Sequence, residues 1–148
     1  TIFGQTFSEL FSGGKAELIL ENPLDVLECA IEIKVQPPGK NVQNIDLLSG
    51  GEKGLAAIAL LFSILKVTPA PFCFFDEVEA ALDDANLSKL LDAIEQLKET
   101  TQLIVISHQR RTMEQADVLY GVSMQADGVS HVVSQRLDRA SGKVVDAR

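Results

Sequence analysis

The chain has 148 residues, 46% of them hydrophobic and 23% charged, with a formal net charge of −8. That length suffices for one domain with its own core, and no apolar run approaches the roughly 18 residues of a membrane span. The acidic balance argues against a large nucleic-acid footprint on this piece, because such a footprint needs a clustered basic face, and Lys53, Lys66, Lys89 and Lys98 are scattered.

No secretory signal pattern opens the sequence. The first residue is Thr1, so it reads as a processed chain or a fragment. Cys29 and Cys73 are too few for a disulfide framework and read as buried, reduced thiols of a cytosolic protein. His108 and His131 show no metal-ligand spacing with them.

Phe3, Phe7, Leu10 and Phe11 fall on one face of a short helix, which Ser12-Gly13-Gly14 stops. Lys15 to Glu21 predicts a strand with Ala16, Leu18 and Leu20 on one face, and Leu27 to Val35 a second that pairs with it as a hairpin. Gln36 to Asn41, with paired prolines and a glycine, predicts a loop. The pattern from Gly51 to Lys66 leaves little polar face and predicts a mostly buried helix, ended by Thr68-Pro69-Ala70-Pro71.

Phe72 to Phe75 predicts a central strand of a parallel sheet, covered on both faces. Asp84 to Glu99 is amphipathic, and Thr101 to Ser107 predicts a second central strand, so the three form a βαβ unit. Arg110 to Gln115 predicts a short helix. Val118 to Met124 and Val129 to Arg136 predict strands on either side of the turn Ala126-Asp127-Gly128. The tail from Asp138 is polar and reads as mobile. The fold class is α/β, with a mostly parallel central sheet flanked by helices and a C-terminal β-hairpin.

Ser12-Gly13-Gly14-Lys15 imitates the end of a phosphate loop, but that loop runs G-x-x-x-x-G-K-[ST] from strand to helix. Here the early glycine position is Glu9, Ala16 follows the lysine, and the order is helix then strand.

Ser49-Gly50-Gly51-Glu52 is a stronger pattern. It fits a capping box, with Ser49 at the N-cap and Glu52 reaching back. Two glycines in a first turn are costly for a cap alone, yet they let another group approach bare N–H donors at a helix N-terminus, where anions bind. Phe72-Cys73-Phe74-Phe75-Asp76-Glu77 ends a buried strand in two acids, at the sheet edge where open α/β folds bind ligands. Asp76 is suited to hold Mg²⁺, directly or through water, and Glu77 to orient an attacking water; a turn cap is the plainer alternative for either. Asp83-Asp84 fits an N-cap of the next helix equally well. His108 directly follows the second central strand, which would set it beside Asp76 and Glu77; His131 reads as surface or structural.

In this order and spacing the set resembles the ABC-type ATPases. Leu48-Ser49-Gly50-Gly51-Glu52 matches the signature motif, Phe72 to Glu77 the Walker B strand, Ala81-Leu82-Asp83 the D-loop and His108 the switch histidine. Leu10 to Ala16, Pro37-Pro38-Gly39-Lys40, Asp76 to Asp83 and Ala116 to Val122 narrow the resemblance to the C-terminal head segment of bacterial SMC proteins, the chromosome condensation and segregation ATPases. It runs from about Phe3 to Leu137; the tail 138–148 carries no motif of the family.

The resemblance implies the C-terminal lobe of a P-loop NTPase head over residues 1–137, with the phosphate loop on a separate N-terminal lobe joined to it through a coiled coil. Two heads would sandwich two ATP molecules. Leu48, Ser49, Gly50, Gly51 and Glu52 would meet the nucleotide of the opposing head, and Asp83 would communicate across the interface. Asp76 would serve Mg²⁺, Glu77 the attacking water and His108 the γ-phosphate on the chain's own side. The implied partners are the N-terminal lobe, a second SMC head, the winged-helix domain of a kleisin subunit and, through the full complex, DNA, with no membrane. The implied location is the cytoplasm, at the nucleoid. An ABC transporter nucleotide-binding domain, a split-head DNA-repair ATPase and, for the isolated piece, a kleisin-binding module that hydrolyses nothing remain open.

Overall fold

Helix α1 (Ile2–Phe11) starts where the Thr1 side chain accepts a hydrogen bond from the Gly4 N–H. It ends with Ser12 in the left-handed region, where the Ser12 and Gly13 N–H groups close back onto Glu9 and Ser8. The Ser12-Gly13-Gly14-Lys15 stretch is therefore a helix C-cap leading into strand β1 (Lys15–Leu20). Gly14 has a second constraint: a Cβ there would come within 2.4 Å of the Gln36 carbonyl oxygen, so only glycine fits beneath the neighbouring strand. This computed structural model describes residues 1–138 and 143–146. They form two units, Thr1–Ile106 and Ser107–Arg148.

In the first unit β1 pairs antiparallel with β2 (Ile31–Gln36), from Lys15↔Gln36 to Leu20↔Ile31, and β2 pairs with the two-residue β3 (Gln43–Asn44). The second strand thus begins at Ile31, four residues later than the pattern predicts. Asn22 holds the Leu24 N–H through its side chain and the Asp25 N–H through its carbonyl, and the Cys29 N–H closes onto Asp25. These turns take Leu27–Ala30 out of the ladder. A 3-10 turn (Ile45–Leu47) then leads into helix α2 (Gly50–Val67).

Strand β4 (Phe72–Asp76), helix α3 (Asp84–Leu97) and β5 (Gln102–Ile106) form the expected βαβ unit, with β4 and β5 parallel and paired from Phe72↔Gln102 to Asp76↔Ile106. The core joins Phe3, Phe7 and Leu10 of α1, Val35 of β2, Leu55, Ala59 and Phe62 of α2, Phe75 of β4, and Leu87, Leu90 and Ile94 of α3. The Phe7 and Phe11 rings stack at 4.0 Å and Phe62 leans on Phe75 at 5.8 Å.

Three expectations fail here. Helix α2 is buried along one side only, with Ile64 and Val67 exposed. Strand β4 is covered on one face only. Cys73 and Phe75, with Leu103 and Val105 of β5, turn toward the helices. Phe72 and Phe74 are 53% and 63% exposed, and Ile104 and Ile106 beside them are exposed too. Nor is the architecture mostly parallel: β4–β5 is the one parallel pairing among the described residues, because the other strands are joined through turns and loops too short for a crossover.

In the second unit, helix α4 (Arg110–Gln115) is followed by β6 (Val118–Met124) and β7 (Ser130–Asp138), antiparallel from Val118↔Arg136 to Met124↔Ser130. Gly128 has φ +80, its N–H closes onto the Gln125 carbonyl, and the Val129 N–H is held by the Asp127 side chain. The polar tail contains the end of β7 and a further strand, β8 (Lys143–Asp146), paired with it; 139–142 and 147–148 lie outside the described residues. No described helix is long and apolar enough to cross a membrane.

Candidate functional site

Two corners of the first unit carry the predicted chemistry. The first is the start of α2. Leu48 is buried and anchors the turn, while Ser49 and Gly50 are exposed. Ser49 is the N-cap. Its N–H donates to Glu52 Oε2 at 3.2 Å and its hydroxyl donates to the same oxygen at 2.8 Å. The expected reach-back of Glu52 is present, with the serine hydroxyl drawn to the carboxylate. A Cβ at Gly50 would meet nothing within 4 Å, so that backbone is open to an incoming group. Gly51 instead faces the chain's own turn and helix start after β4: a Cβ there would lie 3.6 Å from the Ala81 carbonyl oxygen and 3.7 Å from the Asn86 amide. The N–H groups of this first turn and the positive end of the helix favour an anion.

Lys40 joins this corner from outside the motif, twelve residues before Glu52. Its Nζ lies 2.7 Å from Oε1 and 2.9 Å from Oε2 of Glu52. The loop that carries it is a turn with Pro38 and Gly39 at its centre. Gly39 has φ +75 and the Lys40 N–H closes onto the Pro37 carbonyl, the signature of a type II turn. The Gln36 side chain holds the Lys40 carbonyl at 3.1 Å. The Pro-Pro-Gly run was a signal for that turn; the twelve-residue jump to Glu52 was invisible in the sequence. Lys40 and then Ser49 hold the Glu52 carboxyl below the usual glutamate range, against a smaller upward push from burial. The clasp therefore adds stability above that range and loses it as pH falls through the lowered value.

The second corner is the end of β4. Asp76 is exposed, pairs with Ile106 in the ladder, and lies on the bare face with Phe72 and Phe74. Glu77 breaks the strand: its φ is +46, its N–H donates to the Ile106 carbonyl and its own carbonyl accepts from Ala80. A non-glycine residue in the left-handed region is strained, and such strain gathers at functional sites. The break ends the alternation of the strand, so the two neighbouring acids do not project as a strand would send them. Glu79, two residues on, is 3% exposed and was not singled out by sequence. One exposed carboxylate suits Mg²⁺, which takes one or two carboxylates and completes its shell with water and phosphate oxygens. Among the described residues no cluster of three His, Cys, Asp or Glu could hold a metal alone.

Asp83 is the N-cap of α3, its side chain accepting from the Asn86 N–H at 2.8 Å, so the capping alternative describes its contact within the chain. His108 is exposed and belongs to the second unit, two residues past the end of β5; nearby, the Gln109 N–H donates to the Ser107 hydroxyl at 2.9 Å. His131 is exposed on β7.

Residues 24–131 match the family model described as the RecF/RecN/SMC N terminal domain. That description points to the N-terminal part of the head, whereas the motifs read above resemble the C-terminal one. The chain is 58% identical over 136 residues to the chromosome partition protein Smc of Bacillus subtilis, and 53% identical over 135 residues to that of Mycobacterium tuberculosis. These matches take in 92% and 91% of the chain but only 12% and 11% of those proteins, so the chain spans about an eighth of their length. Among solved structures it superposes with TM-score 0.82 at 46% identity, over 95% of this chain and 84% of the other, on one from work on ATP-driven dimerisation and DNA-stimulated activation of SMC ATPases. It superposes with TM-score 0.83 at 47% identity, over 95% of this chain and 35% of the other, on the Smc head of Pyrococcus furiosus bound to the C-terminal domain of ScpA. With the family model spanning most of the sequence and the superposition running nearly end to end, the chain belongs to the SMC family and matches its head domain.

Proposed function

We propose that the chain is the C-terminal lobe of an SMC head, half of a composite ATP site that is complete only when the other lobe and a second head are present. The observation that carries this reading is the bare face of β4–β5. A parallel pair is ordinarily buried on both sides, and two strands alone make no stable sheet. Phe72, Phe74, Ile104 and Ile106 form an apolar surface awaiting a cover, and the Phe72 and Phe74 rings meet edge to face at 5.9 Å. Asp76 shares that face. Whatever covers it arrives beside the candidate Mg²⁺ ligand, as a lobe carrying a phosphate loop would. The sequence contains no G-x-x-x-x-G-K-[ST], which supports placing that loop elsewhere despite the description of the matched family model.

In this reading Asp76 holds the Mg²⁺ that accompanies ATP, Glu77 positions and deprotonates the attacking water, and His108 donates to the terminal phosphate. Ser49, Gly50 and Gly51, backed by Leu48 and Glu52, present N–H and hydroxyl donors to the nucleotide of the opposing head, and Asp83 lies at the interface between heads. Phosphoryl transfer asks a protein chiefly to position groups and stabilise charge. Splitting the donors between two heads makes the site incomplete until they engage, so hydrolysis dissolves the contact that ATP made. The wider setting is an Smc complex with a kleisin and DNA, at the nucleoid.

Nucleotide titration tests this. The chain alone should bind ATP no better than millimolar, and adding the complementary lobe should bring the affinity into the micromolar range, a difference of about 4 kcal/mol. Tight ATP binding by the chain alone overturns the half-site reading.

A further inference from the structure

We propose that Lys40 is a positioning residue for the signature serine, acting through Glu52. The inference rests on the reading above, in which Ser49 meets a phosphate of the opposing head.

The geometry poses a problem that Lys40 solves. An anion approaching the start of α2 finds helix donors and an open Gly50, but also the Glu52 carboxylate, 2.8 Å from the hydroxyl that should greet it. A lone carboxylate there would repel a phosphate and keep the serine proton to itself. The Lys40 ammonium binds both carboxylate oxygens, at 2.7 and 2.9 Å. It cancels the charge and makes Glu52 a weaker acceptor, which leaves the Ser49 proton available for exchange onto phosphate oxygen.

The lysine is built into position. The turn at Pro37–Lys40 is closed by the Lys40 N–H, Gly39 supplies the positive φ it needs, and Gln36 holds the Lys40 carbonyl. The Gln36 end of β2 lies against β1 and beneath Gly14, so the clasp is referred to the rigid sheet and not to a floppy loop. The shift of Glu52 toward its charged form agrees with this arrangement. On this account Glu52 orients Ser49 by accepting from both its N–H and its hydroxyl, and Lys40 makes that orientation compatible with an anionic partner.

The test uses the full-length protein with both lobes, scoring ATP binding by single heads and ATP-dependent head engagement by interface cross-linking. Lys40→Ala should leave single-head ATP binding within about twofold and weaken engagement by about tenfold, with the defect shrinking as salt rises. Lys40→Arg should recover most of the loss. Glu52→Gln added to Lys40→Ala should also recover it, because the uncompensated charge is gone while an acceptor for the Ser49 N–H stays. Normal engagement by Lys40→Ala overturns the inference, as does a defect that Glu52→Gln leaves uncorrected or that ignores salt. Ser49→Arg separates the layers. If it engages normally, the cross-head reading itself fails; if it blocks engagement while Lys40→Ala is silent, only the role of Lys40 falls.

Discussion

The two faces of the β4–β5 sheet have nearly the same composition and opposite surroundings. On one, Phe75 is 3% exposed and is packed by Phe62 and the helices. On the other, Phe74, its neighbour in sequence, is 63% exposed. An all-apolar strand is the pattern of a sheet buried on both sides, and this chain supplies the cover for one of them. The difference separates two roles within five residues: the packed face holds this unit together, and the bare face and strand end are, in the proposed reading, where a second lobe sits.

Alanine at each phenylalanine should break that symmetry most visibly. Phe75→Ala empties a buried ring site and should cost about 3–5 kcal/mol in urea unfolding of the chain. Phe74→Ala removes an exposed ring and should cost under about 1 kcal/mol in the same measurement. In association with the complementary lobe the order should reverse, with Phe74→Ala losing about 2 kcal/mol as a central anchor. Equal unfolding costs would mean that the bare face is already in use within this chain.

At the strand end the expected effect is smaller in energy and confined to function. Glu77→Gln in the intact protein should slow ATP hydrolysis about 10²-fold or more, about 2.7 kcal/mol of barrier, and leave ATP-driven engagement in place. The strained φ of +46 belongs to the backbone and survives the substitution, so stability should stay within about 0.5 kcal/mol. Near-normal turnover would remove Glu77 from its role.

Much of this was legible in the sequence because the signals were local. The aromatic stripe of α1, the leucine stripe of α3 and the Asp-Gly turn between β6 and β7 each state their period within a dozen residues, and the structure follows them closely. The delayed start of β2 was not legible, since Val26-Leu27-Glu28-Cys29 has strand-like composition and only the turns anchored at Asn22 and Asp25 withdraw it. Nor could a one-sided β4 be read, because apolar content declares that a strand needs cover without saying which chain provides it. At the site, the capping pair Ser49–Glu52 was readable from its spacing. Lys40 was not, because it reaches Glu52 through the shape of a turn. Asp76 ends β4 as the pattern predicts, but the backbone reversal at Glu77 just beyond it has no signature in residue type.

Asp83 tests whether a residue can belong to both sides of the division. Within the chain it caps α3, whose leucines form the packed layer, and Asp83→Ala should cost about 1 kcal/mol of stability. Asparagine caps a helix about as well as aspartate, so Asp83→Asn should unfold like the parent. If the carboxylate also acts between heads, Asp83→Asn should weaken ATP-driven engagement in the full-length protein several-fold with stability unchanged, because only its charge is gone. If engagement is normal in Asp83→Asn and falls in Asp83→Ala only as far as the lost stability predicts, Asp83 is a helix cap, and its work is finished on the packed side.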